Sequence, residues 1–208
     1  MKLVLAGVPL GNPGDASARL ISAIKSASII AAEDSRRFQR LCQDLNVATN
    51  AKVLSFFEGN EDERTEQLLK ELQNGAEVLV VTDAGMPTVS DPGFKLVRAA
   101  VEAKINIEVI PGPSAVTTAL ALSGLPTDRF CFEGFAPRTQ GAREKFFENL
   151  KYEARTIVFF EAPHRLLETL ESAINILGAD RKAALCREMT KTYEETVRGT
   201  LAELQIWA

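Results

Sequence analysis

The sequence predicts an α/β protein of two domains, the first of them built on a parallel sheet. Short apolar runs typical of buried strands alternate with helix-like segments over the first half of the chain. The length of 208 residues allows either one large domain or two small ones. The second half contains more phenylalanine and different loops, so we expect an N-terminal α/β domain over residues 1–112 and a mixed α/β domain over residues 113–208.

The first half reads as five strands, each followed by a helix or a loop. The strands are predicted over residues 2–8, 28–32, 52–56, 78–81 and 105–110. The intervening helices are expected to begin at Asp15, at Asp34 or Ser35, at Asn60 and at Asp91. The last of these starts combines a capping residue with a proline at the first helical position.

The second half also mixes strands and helices. Strands are predicted over residues 130–135, 156–160 and 182–186, with a further pairing strand over 192–199. Helices are predicted over residues 114–123, around Arg143, from Pro163 to Gly178, and from residue 200 to 207.

Composition excludes several classes of function. The net charge is −4 and basic residues are spread evenly, so only a local basic surface could hold RNA. Three isolated cysteines and the single histidine, His164, argue against a disulfide framework or a metal site. No apolar run approaches the length of a membrane span, and the N-terminus has no signal-peptide cleavage pattern. We expect a cytoplasmic protein without a metal.

The common nucleotide-binding and hydrolase motifs are missing, since the chain has no GxGxxG, GxxxxGK[ST] or GxSxG sequence. What remains is a set of loops at the carboxyl ends of predicted strands, over residues 9–15, 33–37, 83–91, 111–115 and 161–165. In doubly wound folds such loops open onto a common ligand crevice. In the third loop, Asp83 can accept hydrogen bonds from a ribose or an amino group, and Ala84 and Gly85 leave room against bare backbone.

Several polar residues at these strand ends are candidates for acid–base chemistry. Glu33 and Asp34 suit either a helix cap beside a solvated charge or proton transfer, and the sequence alone leaves both open. His164 either contacts RNA or bonds to backbone at a helix start.

Ordered motifs then give a resemblance that spans nearly the whole chain. They are Pro9-Leu10-Gly11-Asn12, Ala32-Glu33-Asp34-Ser35-Arg36, Asp83-Ala84-Gly85-Met86-Pro87, Ile110-Pro111-Gly112-Pro113-Ser114-Ala115, Phe132-Glu133-Gly134-Phe135, Pro163-His164-Arg165 and Arg187-Glu188-Met189-Thr190-Lys191. The chain resembles the ribosomal RNA small subunit methyltransferase I family of the tetrapyrrole methylase superfamily. The resemblance implies an S-adenosylmethionine-dependent enzyme that methylates the ribose 2′-hydroxyl of a cytidine in 16S rRNA of the small ribosomal subunit. It also implies a homodimer, with the cofactor folded in the cleft between two domains.

The resemblance also implies which residues contact the cofactor, and the strand-end residues supply hypotheses for catalysis. Cofactor contacts are expected from Leu10, Asp83, Ala84, Gly85, Met86, Ser114 and Ala115, with Phe160 and Leu185 covering its base. The candidate general bases are Glu33, Glu161 and Glu188, and the candidate phosphate or oxyanion partners are Arg36, Arg165 and Lys191. No spacing selects one base among the three.

The chain departs from the family pattern in a few places. Met86 stands where a threonine is usual, Gly59 where a histidine is common, and Thr139 where a lysine often follows Arg138. The family normally continues past Leu201, so the chain is expected to lack the family's C-terminal end. Two alternatives remain open: a superfamily enzyme acting on a small molecule such as a tetrapyrrole, and a non-catalytic cofactor-binding or ribosome-binding relative.

Overall fold

The structure is a computed structural model that describes residues 2–208. Clustering of contacts divides the chain into two compact units that meet in sequence between Ser114 and Ala115. Each unit combines strands and helices, which confirms the predicted α/β class.

The first unit is built on a five-stranded parallel sheet in the order β3-β2-β4-β1-β5. The strands are β1 (Lys2–Ala6), β2 (Ile29–Ala32), β3 (Lys52–Ser55), β4 (Glu77–Val81) and β5 (Asn106–Ile110). The three central strands are almost continuously apolar and buried, as expected where helices cover both faces of a sheet. β1 ends at Ala6 rather than at Val8 as predicted, because Val8 leaves the ladder to bridge the loop after β4.

Four helices cover the two faces of this sheet. They are α1 (Ala18–Ser26), α2 (Ser35–Asp44), α3 (Glu61–Gln73) and α4 (Phe94–Glu102). On one face, α1 and α2 bury Leu20, Ile24 and Phe38 against side chains such as Ile30. On the other face, α3 and α4 bury Leu68, Leu72 and Leu96 against side chains such as Val80. The unit is therefore doubly wound, and parallel strands bring their carboxyl ends to one edge.

Two predicted helix starts are wrong. The helix predicted to begin at Asp91 begins at Phe94, with Gly93 as its N-cap at φ 127° and no side-chain cap. Thr88 and Ser90 both have positive φ, so the preceding loop turns further than the sequence indicates. The N–H of Gly93, just before the helix, is bonded to a residue of α3, because Glu61 Oε1 accepts it at 2.9 Å.

The second wrong start concerns α1. Its N-cap is Ser17, whose hydroxyl accepts the Leu20 N–H at 3.0 Å, and Asp15 lies in a separate 3₁₀ turn. At the next helix the open choice is resolved: Asp34 is the cap of α2, since its Oδ1 accepts the Arg36 N–H at 2.7 Å.

Charged side chains link the three strands β4, β1 and β5 on the side of their amino ends. Lys2 Nζ lies 3.4 Å from Glu77 Oε2 and 3.1 Å from Glu108 Oε2. Arg19 from α1 adds a contact of 2.8 Å to the other oxygen of Glu108. This amino-edge ion network holds the end of the sheet opposite to the carboxyl edge, and all its members are partly exposed.

The second unit contains two small sheets and four helices. Its elements are α5 (Ala115–Ser123), β6 (Phe130–Phe135), α6 (Gln140–Leu150), β7 (Thr156–Phe160), α7 (Leu166–Leu177), β8 (Lys182–Arg187), β9 (Glu195–Thr200) and α8 (Leu201–Trp207). β6 and β7 are parallel, and β8 and β9 are antiparallel, so the mixed character predicted for this half is confirmed. Phe147, Leu170 and Leu204 form the centre of its core.

Candidate functional site

The loops after β1, β4 and β5 are joined at the carboxyl edge of the first sheet. Val8 N donates to Gly85 O at 2.9 Å and Gly85 N donates to Val8 O at 3.1 Å. Gly7 N donates to Ile110 O at 2.9 Å. The three loops therefore form one connected structure, although they are far apart in sequence.

Glycines allow this close approach. A Cβ on Gly112 would lie 2.8 Å from the Gly7 carbonyl carbon, and one on Gly7 would lie 2.6 Å from Met86 Sδ. Gly85 has φ 78° and approaches Leu10 Cδ2, which a Cβ would meet at 3.4 Å. Among the cofactor contacts implied by the resemblance, Leu10, Gly85 and Met86 are thus brought together around bare backbone.

Glu33 and Asp83 hold each other's loops. Asp83 N donates to Glu33 Oε2 at 3.1 Å, and Asp34 N donates to Asp83 Oδ1 at 3.2 Å. This reciprocal pair fixes the loop after β2 against the loop after β4. Both carboxylates already accept backbone hydrogen bonds, and each keeps further acceptor capacity.

Arg37 is the cation closest to this pair, and sequence reasoning named its neighbour Arg36 instead. Arg37 Nη1 lies 3.1 Å from Asp83 Oδ2. Arg36 folds back onto its own helix cap, with Nη2 3.2 Å from Asp34 Oδ2, and its side chain is 89% exposed. Two adjacent arginines on a helix look alike in sequence, and only the position of Asp83 in space separates them.

Three acidic side chains at the carboxyl edge, Glu33, Asp83 and Asp91, have raised pKa values. Partial burial raises the pKa of Glu33 and the pKa of Asp83, while Arg37 opposes the rise in both. Burial, together with the charges of Glu33 and Asp83, raises the pKa of Asp91 to about 7. Sequence reasoning treated Asp91 as a helix cap and missed it as part of this group.

This edge fits a cationic ligand that needs close backbone approach. Glu33, Asp83 and Asp91 favour positive charge, and the glycine-lined surface beside Leu10 leaves room for an apolar or planar group. The cation and amino group of S-adenosylmethionine match the first property, and its adenosine matches the second. Between Lys2 and Ala208 no group of three acidic, histidine or cysteine side chains is arranged to hold a metal ion.

In the second unit, Glu161 is a buried acid with many partners. Its side chain is 7% exposed and pairs with Arg165, while the Ala162 N–H donates to its Oε1 at 2.7 Å and the Thr169 hydroxyl donates to its Oε2. Phe160, just before it, packs edge-to-face on Phe132 at a centroid distance of 4.9 Å. Glu161 and Arg165 thus neutralise each other inside this unit.

The remaining candidates lie elsewhere in the chain. Glu188 and Lys191 pair at 3.2 Å in the exposed loop between β8 and β9. Leu185 packs against the core of the second unit. Ser114 is the last residue of the first unit, and Ala115 is the first residue of α5.

Comparison with known proteins identifies the family. The profile of the Tetrapyrrole (Corrin/Porphyrin) Methylases matches residues 2–205. The ribosomal RNA small subunit methyltransferase I of Mycobacterium bovis is 51% identical over 207 residues, covering 100% of this chain and 73% of that protein. The chain belongs to this methyltransferase family. The Escherichia coli member is 39% identical over 206 residues, covering 99% of this chain and 71% of its own length.

Solved structures of other proteins share the fold. Diphthine synthase superposes with a TM-score of 0.72 at 18% identity, covering 99% of this chain and 84% of that chain. A uroporphyrin-III C-methyltransferase from Thermus thermophilus, complexed with S-adenosyl homocysteine, gives 0.65 at 18% identity, with coverage of 98% and 91%. The cofactor of this methyltransferase family is S-adenosylmethionine. Over residues 2–208, no helix has the length and apolar character needed to cross a membrane.

Proposed function

We propose that this protein transfers a methyl group from S-adenosylmethionine to the ribose 2′-hydroxyl of a cytidine in 16S rRNA of the small ribosomal subunit. The observation that carries the proposal is the connected carboxyl edge of the first sheet, where Asp83 and Glu33 present negative charge beside glycine backbone. The identity of 51% over the whole chain with an rRNA methyltransferase supports RNA as the substrate.

The residues proposed to contact the cofactor keep the assignment made from the sequence. In the first unit, Asp83 and its neighbours would attract the cation, and Gly85 beside Leu10 would leave room for adenosine. The full proposed set is Leu10, Asp83, Ala84, Gly85, Met86, Ser114, Ala115, Phe160 and Leu185. When bound, S-adenosylmethionine supplies an electrophilic methyl group on a sulfonium.

Among the three candidate bases, the structure favours Glu33. The transfer needs a group that accepts the proton of the ribose hydroxyl while the oxygen is held in line with the methyl carbon. Glu33 has a raised pKa and stays within the charged edge. Glu161 is occupied by Arg165 and Thr169, and Glu188 is paired with Lys191 at an exposed loop.

Arg37 and the three candidate phosphate or oxyanion partners have different proposed roles. We propose that Arg37 holds Asp83 in place, while Arg36, 89% exposed, is available for RNA phosphate. Arg165 keeps Glu161 neutralised, and Lys191 is partly exposed beside Glu188. This division makes Arg36 and Lys191 contributors to RNA affinity rather than to proton transfer.

A radiolabelled methyl transfer assay tests the proposal and separates it from its alternatives. With labelled S-adenosylmethionine, label should enter assembled small subunits at one cytidine, whose 3′ phosphodiester then resists alkaline cleavage. Label entering a free tetrapyrrole instead would establish a small-molecule enzyme. Failure of the folded protein to bind S-adenosylmethionine in calorimetry would remove any methyltransferase role.

We further propose that the enzyme acts as a homodimer in the cytoplasm, where ribosomal subunits are made. Phe94 and Val101, 65% and 60% exposed, lie seven positions apart on one side of α4 and offer an apolar surface for a second copy. The mass of the protein in solution, by sedimentation or light scattering, decides this point.

A further inference from the structure

Phe135 is an exposed aromatic ring at the carboxyl end of β6. It is 55% exposed, although phenylalanine is among the residue types most often buried. Its ring packs edge-to-face on Phe160 at a centroid distance of 5.3 Å, and Phe160 packs on Phe132. Phe160 therefore holds the ring on one side, while more than half of the residue's surface is open.

A β-bulge puts Phe135 in this position. Phe132 lies opposite Val158 and Phe135 lies opposite Phe160, so β6 advances three residues while β7 advances two. Without the extra residue, Phe135 would point to the face opposite Phe132, since side chains alternate along a strand. The bulge includes Gly134, which has φ 71°. Bulges of this kind re-aim a side chain and are common next to functional sites.

The two loops beside the exposed ring carry an exposed arginine and an exposed histidine. The Arg165 Nη1 donates to Ala136 O at 3.1 Å and Ala136 N donates to Phe160 O at 3.1 Å, so the loops after β6 and β7 are tied together. Arg138 and His164 lie on these two loops with exposed side chains. The acid on these loops, Glu161, is neutralised by Arg165, so Arg138 gives the two loops a net positive charge, while the exposed Glu133 lies on β6 itself.

We propose that Phe135 is the platform on which an unpaired base of the RNA substrate stacks, with Arg138 and His164 contacting the neighbouring phosphates. An open aromatic face beside an arginine and a further hydrogen-bond donor is a combination that binds single-stranded nucleic acid, because every base has a π-face and every linkage has a phosphate. This inference rests on the proposed RNA substrate, and it adds a recognition residue outside the cofactor edge.

The inference predicts a loss of RNA affinity with intact cofactor binding. Phe135→Ala should raise the KM for small subunits about tenfold or more, the size typical of losing one stacked base. The affinity for S-adenosylmethionine should stay unchanged in calorimetry. Phe135→Trp should restore the KM, and Phe135→Leu, which keeps an apolar side chain without a ring, should not.

Phe130→Ala is the matched control, because Phe130 lies at the other end of the same strand and is 40% exposed. It should leave the KM for subunits close to that of the unmodified protein. Circular dichroism and urea unfolding establish that each variant is folded before its kinetics are compared.

The outcomes separate the two proposals. If the unmodified protein methylates small subunits and Phe135→Ala keeps the same KM, the stacking inference is wrong and the function stands. If Phe135→Ala instead weakens self-association with an unchanged KM, the ring contacts a second copy and the inference is also wrong. If the unmodified protein binds S-adenosylmethionine but labels no RNA, the proposed function itself fails.

Discussion

The Glu33 side chain has two proposed roles at the carboxyl edge, and each role needs a different chemical property of the side chain. Its Oε2 accepts the Asp83 N–H and so fixes the loop after β4, a task that needs only an acceptor oxygen. Acting as a general base needs a carboxylate, since an amide does not take up the hydroxyl proton. The two contributions can therefore be separated by a pair of substitutions.

Glu33→Gln should lower kcat by about 10²-fold or more and change the cofactor affinity less than Glu33→Ala does, because the amide oxygen still accepts the Asp83 N–H. Glu33→Ala should weaken both. Steady-state kinetics on small subunits and calorimetry with S-adenosylmethionine provide the two readouts. Glu188→Gln is the control, and a Glu33→Gln protein with normal kcat would assign Glu33 to positioning alone.

Asp91 makes the stability of the folded protein depend on pH. Its pKa is raised to about 7 by burial and by the carboxylates of Glu33 and Asp83. The folded protein thus keeps a proton that the unfolded chain releases from about pH 4 upward, so the free energy of unfolding falls as the pH rises towards 7. Below the unfolded pKa both states are protonated and the penalty is absent.

Asp91→Asn should therefore increase the free energy of unfolding near pH 8 by roughly 1–2 kcal/mol, a value reduced for the solvent screening of a partly exposed group. The gain should disappear near pH 4. Urea unfolding across this pH range measures it, with the exposed Asp180→Asn as control. A gain that stays constant over the whole range would show that Asp91 does not hold the extra proton.

At the scale of elements, the contact between Gly7 and Gly112 joins the ends of β1 and β5. Neither position tolerates a Cβ without a shift of backbone, because each Cβ would lie within 2.9 Å of the partner's backbone atoms. The same closeness lets the loops after β1, β4 and β5 act as one rigid edge. A single methyl group should be enough to disturb it.

Gly112→Ala should cost about 1–3 kcal/mol of stability, the usual range for overpacking. Gly141→Ala is the control, since Gly141 lies in α6 with open space around it, and alanine there should stabilise by ~0.5–1 kcal/mol. The midpoints of urea unfolding measure the stability of the two variants. Equal and small effects at both positions would mean that the edge adapts to a larger residue.

Sequence reasoning reached the elements more reliably than their ends. The apolar run of β4 and the alternation of strands and helices were sufficient to predict a doubly wound sheet. The start of α4 was missed because Asp91 before Pro92 has the local signature of a cap, while the acceptor that holds the Gly93 N–H, Glu61, comes from another helix. The bulge in β6 was also invisible, because aromatic residues at 130, 132 and 135 suit a strand with or without it.

For the whole molecule, motif order predicted the family, and the comparisons confirm it. The order of the five strands could not be predicted from the sequence. The central strands are all short and apolar, and nothing in their residues indicates which strands pair with each other. For the same reason the link from Glu33 to Asp83, fifty positions apart, was not seen. The division of the chain into domains at residue 112, the roles of the site residues and the homodimer stay predictions.

The amino-edge ion network has a consequence for how RNA binding is measured. Lys2, Glu77, Glu108 and Arg19 are partly exposed, so raising the ionic strength weakens their contacts at little cost to the stability of the fold. They also lie at the end of the sheet away from the loops that carry Glu33 and Asp83.

Protein–RNA contacts through phosphates, in contrast, lose affinity steeply as salt is added. The slope of the logarithm of RNA affinity against the logarithm of salt concentration therefore reports the number of phosphate contacts. Weakening of the ion network in the fold contributes little to this slope.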